Sequence, residues 1–358
     1  MIVSREPYAA YRDQGLIDAS RIRGRISPLN HDSLTRLLFL AVAVVLVALI
    51  LFPILARAGG LAHPGLCIGI RGSGDYQRSL VYQGLQRTFL LHVPPAYPGT
   101  KHLPLVIVLH GGGGSGRKVA RLTGFSSRAD REGFVAVYPD GVNRHWNDGR
   151  NVGHYRAQRE NVDDAGFIST LTDGLVRQLQ LDSQRVYATG ISNGGMMCYR
   201  LACDRSDKIA AIAPVCAAMA EELPDSSTPR KQVPVLAING TRDPLVPWEG
   251  GGVGLLRKRG RVMSVRKTID FWVKHNQCSQ TPVKIRLPHK GPANGTGIER
   301  EVYGHGRDGS EVILYTVNRG GHTWPGGAER PLHFGRRSDD IDATEVIWEF
   351  FKRHTRRG

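Results

Sequence analysis

The segment VYATGISNGGMM, residues 186–197, sets Ser192 between Gly190 and Gly194 in the pattern G-x-S-x-G. A serine hydroxyl attacks a carbonyl carbon effectively only when a base removes its proton as the bond forms. That base is ordinarily a histidine, held in one tautomer by a carboxylate. Where a strand, turn and helix carry the serine, the chain order is serine, acid, histidine. Downstream of Ser192, Asp243 in INGTRDPLVP and His322 in VNRGGHTWPGG meet that order. Each follows an apolar run of strand type, which puts it on a loop at a strand's carboxyl end. Singly, these features are ordinary: Asp-Pro also starts turns, and the chain has 43 glycines and 13 histidines. His92, His102, His145, His305 and His333 have no matching position. Together the three residues read as nucleophile, acid and base.

A second glycine-rich stretch, LHGGGGSG at 109–116, follows another apolar run. Attack on an ester creates an oxyanion, and fixed backbone N–H groups lower that barrier. The expected donors are the N–H of Gly112, or a neighbouring glycine, and that of Asn193, directly after the nucleophile. The same stretch approaches a phosphate-binding loop, but Arg117 stands where that pattern requires lysine and no Ser or Thr follows it. Nucleotide binding is therefore excluded. Trp324, two residues after His322, is a candidate to stack on an aromatic acyl group or a sugar, and equally a wedge fixing the histidine loop. Asp163 and Asp164 precede a helical pattern and suit its N-terminus. No C-x-x-C or histidine cluster suggests a metal, and ester hydrolysis by this constellation needs no cofactor.

The elements that must position these groups alternate along the chain. RSLVYQGLQRTFLLHVPP is two alternating runs about Gln-Gly, a hairpin. LPLVIVLH, GFVAVYPD, RVYATG, IAAIAPV, VPVLAING and EVILYTVN are short continuous apolar runs, as strands buried on both faces should be. DDAGFISTLTDGLVRQLQ, SVRKTIDFWVKHN and DDIDATEVIWEFFKRH have helical patterning between or after them. The expectation is an α/β fold: a mostly parallel sheet, entered by an antiparallel hairpin, with helices on both faces.

The start of the chain differs. Residues 37–55, LLFLAVAVVLVALILFPIL, are nineteen consecutive uncharged residues, about 28 Å as a helix and close to the thickness of a bilayer core. Arg21, Arg23, Arg25 and Arg36 precede this run, whereas only Arg57 and Arg71 follow closely. The bias places residues 1–36 in the cytoplasm as a basic segment, 37–57 in the membrane and the rest outside. ARA at 56–58 also has the form of a signal-peptidase site, so the domain is either anchored or released after Ala58. Residues 58–75 read as a linker and 76–358 as the catalytic domain. Leu66 directly before Cys67 does not suit a lipoprotein signal. The net charge of +16 is scattered over Arg257, Lys258, Arg259 and Arg261 and over Lys352, Arg353, Arg356 and Arg357. No basic helix with interleaved aromatics accompanies it, so it reads as solvated surface and nucleic acid is not an expected partner. Five cysteines, an odd number, leave at least one unbridged within the chain.

These motifs, in this order, resemble the polyhydroxybutyrate-depolymerase-type esterases, related to bacterial feruloyl and acetylxylan esterases. The resemblance runs over roughly 67–355 through VPPAY, LVIVLHGGGGSG, AVYPDG, WN, VDDAGFI, RVYATGISNGGMM, AAIAPV, INGTRDPLVPWEGG and GGHTWPGG. It implies an α/β-hydrolase fold, an extracytoplasmic location and carboxylic ester cleavage, with Ser192, Asp243 and His322 as the triad. It also puts Trp146 and Asn147 near the cleft, Trp146 as a substrate contact. Two positions depart from the pattern: His305 stands where a cysteine often bridges to one like Cys278, and Cys216 where a small residue is usual. Cys67 with Cys203 is the remaining candidate pair. No polymer-binding module follows the catalytic region, which favours small or oligomeric esters over granules. The rival readings are a peptidase or lipase on the same fold, and a non-catalytic cell-surface binding protein.

Overall fold

Each expected strand forms, and the alternation of side chains explains why. In β3, Leu105–Leu109, all five residues are buried. Leu105, Ile107 and Leu109 pack with Phe167, Leu171, Met197 and Trp272 in one layer. Val106 and Val108 face the other way and pack with Val119, Phe125 and Trp348. A strand sandwiched between two helical layers can afford no polar face, hence the unbroken apolar runs. Each fully buried Leu or Phe in these layers contributes roughly 1.5–3 kcal/mol.

The computed structural model of the protein describes residues 69–70, 72–97, 102–222, 227–256, 258–290, 295–328 and 332–356. The basic segment 1–36, the apolar segment 37–57, the processing site at Ala58, Cys67 and residues 58–68 and 71 of the linker lie outside the described residues. No helix among the described residues is long and apolar enough to cross a membrane.

Apart from a short pair at Gly251–Gly252 and Arg261–Val262, the strands are β1 (Gly74–Tyr82), β2 (Leu85–Val93), β3, β4 (Val135–Pro139), β5 (Val186–Ile191), β6 (Ala211–Val215), β7 (Val235–Gly240), β8 (Val283–Arg286), β9 (Gly297–Tyr303) and β10 (Val312–Asn318). Among the described residues these ten form one sheet in the order β1-β2-β4-β3-β5-β6-β7-β10-β9-β8. Strands β3 to β7 and β10 run parallel to their partners in that group. The β1–β2 hairpin turns at Gln83 and Gly84, both with positive φ (47° and 75°), as a two-residue hairpin turn requires. It joins the sheet antiparallel through β2 and β4. At the other edge β9 and β8 extend the sheet antiparallel. All four residues of β8 are exposed, so it carries no apolar pattern to announce it.

The helices are α1 (Gly116–Thr123), α2 (Phe125–Glu132), α3 (Asp164–Leu179), α4 (Asn193–Asp204), α5 (Val265–His275) and α6 (Ala343–Phe351), with a single turn at Arg156–Arg159. Helices α3, α4 and α5 cover one face, and α1, α2 and α6 the other. Asp163 caps α3 by accepting from the Gly166 N–H at 2.8 Å, the role expected of it. Several cations of the two basic clusters are paired at the surface: Arg261 with Glu221, Lys352 with Glu349 and Arg353 with Glu311.

Candidate active site

Strand β5 ends at Ile191, helix α4 begins at Asn193, and Ser192 is the single residue between them. Its backbone is held at φ 58° and ψ −124°, an energetically costly conformation for a residue with a side chain. Two hydrogen bonds hold it: Ser192 N–H donates to Val215 O at 2.9 Å, and Met196 N–H donates to Ser192 O at 2.8 Å. The Ser192 hydroxyl makes no capping bond to α4. The flanking glycines are required by space. A Cβ on Gly190 would lie 2.6 Å from Leu109 O, and one on Gly194 would overlap that same oxygen.

Asp243 follows β7, and His322 follows β10, the neighbouring parallel strand. Their loops meet at the carboxyl edge of the sheet, the edge that also carries Ser192, with β6 between. His322 Nδ1 lies 2.7 Å from Asp243 Oδ2, both side chains nearly fully buried. The other carboxylate oxygen accepts from the N–H groups of Leu245 and Val246, each at 2.8 Å. The carboxylate is thereby fixed, and through Nδ1 it orients the imidazole. The His322 N–H donates to Phe334 O at 2.6 Å, and the Phe334 ring stacks on the imidazole. Cys216 donates its thiol to Thr323 O at 3.2 Å. Cys216, Asp243 and His322 each place one metal-type donor atom within 4.8 Å of the others, but two of the three residues are already joined by their own hydrogen bond.

The glycine loop packs against the elbow. A Cβ on Gly111 would stand 3.4 Å from Ser192 Cβ, and one on Gly112 3.8 Å from Asn193 Cβ. Gly113 and Gly114 commit their N–H groups to Arg144 O and Gly111 O. A cleft of about 410 Å³ opens beside this loop, walled by Val119, Leu122, Ile191 and Phe334, with Lys118 and Arg121 also lining it.

Two substrate contacts expected from the sequence are corrected here. Trp324 is fully buried, donates Nε1–H to Thr344 Oγ1 at 3.0 Å and packs edge-on to Phe125. It is the wedge behind the histidine loop. Trp146 is also fully buried, with Nε1–H donating to His110 O at 2.9 Å. Neither ring offers a face to a substrate. Asp164 pairs with the buried Arg87 at 2.6 Å. Cys203 is a buried thiol, and its candidate partner Cys67 lies outside the described residues.

His110 was missed, although it stands directly before the glycine run. Its Nε2 accepts from Gly141 N–H at 3.0 Å, so Nδ1 carries the proton and donates to Gly111 O at 2.8 Å. Burial pushes its pKa down to about 4, against the pull of the Gly111 carbonyl. The unfolded chain binds this proton from about pH 6.5 downward, while the folded chain resists until about pH 4. Stability from neutral His110 is therefore fully present above pH 6.5 and is lost as pH falls toward 4, by up to about 3 kcal/mol. Urea titrations at pH 7 and pH 4.5 should show His110→Gln losing less stability between the two than the parent. An equal loss would remove His110 as the cause.

Residues 87–223 match the family model described as esterase PHB depolymerase. The chain is 30% identical over 284 residues to a protein named as an esterase, NocK, of Nocardia uniformis subsp. tsuyamanensis, covering 76% of this chain and 81% of that one. It is 26% identical over 317 residues to feruloyl esterase C of Emericella nidulans, covering 86% and 98%. With feruloyl esterase B of Piromyces equi the identity is 28% over 239 residues, 66% of this chain but only 42% of that longer protein.

Proposed function

The chain belongs to the PHB depolymerase family of esterases and is a carboxylic ester hydrolase, and from that premise we propose that it works through Ser192, His322 and Asp243 as an exported serine esterase. The observation that carries this reading is the 2.7 Å bond from His322 Nδ1 to a carboxylate whose other oxygen is already held by two backbone N–H groups. In the reaction, Ser192 Oγ attacks the ester carbonyl while His322 Nε2 takes its proton. The N–H groups of Gly112 and Asn193 receive the oxyanion. Asp243 stabilises the imidazolium, which then protonates the leaving alcohol. Water, activated by the same imidazole, releases the acid from the acyl-enzyme.

For the substrate, the apolar walls of the cleft beside Gly112 favour a bulky or aromatic acyl group over acetyl. Feruloyl esterase C, aligned over nearly all its length, supports a hydroxycinnamoyl ester, and the family description supports a 3-hydroxybutyryl one. A filled apolar wall is worth about 1–3 kcal/mol in the transition state. The kcat/KM for methyl ferulate or a 3-hydroxybutyrate oligomer should therefore exceed that for a short acetyl ester by tenfold or more. Equal values on all three would show that this cleft does not read the acyl group. For location, we propose that residues 37–57 hold the chain in a membrane with the hydrolase domain outside, unless cleavage near Ala58 releases it. The apolar run and the arginine asymmetry around it support this arrangement.

A further inference from the structure

Asn193 does more in this structure than follow the nucleophile. Its side chain is buried, and both of its polar atoms are engaged. Oδ1 accepts from Trp146 N–H at 2.8 Å, and Nδ2 donates to Trp146 O at 3.1 Å and to Asp148 Oδ2 at 2.6 Å. Asp148 is itself gripped by Arg150, with Nε 3.1 and 2.9 Å from its two oxygens and Nη2 2.7 Å from Oδ2. The side chains of this ion pair are 0% and 3% exposed. Gln158 Nε2 donates to Asp148 Oδ1 at 3.0 Å, and Arg150 Nη1 donates to Arg259 O at 2.6 Å.

A buried ion pair is a poor source of stability, since apolar residues of similar volume often replace one without loss. What this pair supplies is direction. Asn193 opens α4, so its N–H belongs to the first turn, where helix donors have no partner inside the helix. The clasp fixes the residue bearing that N–H from the far side. Trp146 joins the two halves of the site, because its backbone grips Asn193 while its indole holds His110 O at the root of the glycine loop.

We propose that the Asn193 side chain, held by Trp146 and by an Asp148 that Arg150 fixes in turn, aims the amide that receives the oxyanion, making Asp148 a positioning residue; this rests on Ser192 being the nucleophile. The test compares Asn193→Ala, Asp148→Asn and the double variant in the full-length chain. The readouts are kcat and KM on a short ester, the rate of fluorophosphonate labelling, and thermal melting. Asn193→Ala keeps the backbone N–H but frees it to tilt. Its kcat and labelling rate should fall roughly 30-fold with KM within about twofold, short of the 10²–10³ expected for outright loss of a donor. Asp148→Asn should lower kcat similarly in the parent, yet by less than about twofold when Asn193 is already Ala. A merely structural role would lower the melting temperature and leave kcat per folded molecule unchanged. Near-parental kcat in Asn193→Ala, or losses that multiply in the double variant, would overturn the inference. Should Asp148→Asn not fold, the kcat and KM of Asn193→Ala alone decide it. Hydrolysis surviving Ser192→Ala would instead remove the reading beneath, which separates the two failures.

Discussion

Ser192→Ala should abolish labelling by a fluorophosphonate probe and lower kcat on any accepted ester by on the order of 10⁵–10⁶. The loss is chemical rather than structural. The Ser192 hydroxyl caps nothing, while the elbow is held by backbone bonds to Val215 and Met196 that alanine retains. The positive φ of 58° is imposed by packing around Gly190 and Gly194, and alanine tolerates it about as well as serine does. The melting temperature should therefore stay within a few degrees of the parent. With no oxygen at this position, no acyl-enzyme forms, and only the oxyanion donors and substrate binding remain to help water. Labelling of both proteins, or of neither, would remove Ser192 as nucleophile.

Asp243→Asn should cost about 10⁴ in kcat. The amide oxygen of asparagine can replace the oxygen that accepts from Leu245 and Val246, so the loop keeps its shape. The amide nitrogen then faces His322 Nδ1 where a carboxylate oxygen stood 2.7 Å away. A donor facing Nδ1 makes Nδ1 the acceptor and moves the imidazole proton to Nε2. That nitrogen can no longer accept the proton of Ser192, and the negative charge that stabilised the imidazolium is gone. Steady-state kinetics on purified Asp243→Asn, with circular dichroism as the check on folding, measures the effect. A loss smaller than about tenfold would show that Asp243 does not orient the base.

The parts of this molecule that were legible in the sequence are those where one physical demand dictates residue type. Strands squeezed between two helical layers must be largely apolar, so β3 to β7 and β10 stand out as runs. The elbow cannot be built without glycine at 190 and 194, so Ser192 is marked by its neighbours. The tryptophans were ambiguous because size and aromaticity suit a core and a cleft equally. Only burial separates them, and Trp146 and Trp324 prove to be interior. Strand β8 was silent because an edge strand with every side chain exposed has no alternation to detect. The Asp148–Arg150–Asn193 clasp was hidden for a different reason. Asn193 lies 45 residues from Asp148 in the chain, and polar side chains carry no periodicity that betrays a buried network.

Asp243 and His322 follow adjacent parallel strands although 79 positions separate them. Most of the intervening chain, including β8, β9 and α5, is accommodated at the outer edge and on one face of the sheet. Insertions or deletions along that excursion can lengthen or shorten the rim without altering the register of the two strands beneath it. Selection, or an engineer grafting new loops, thus has a region that can vary in length while the contact between Asp243 and His322 is inherited unchanged.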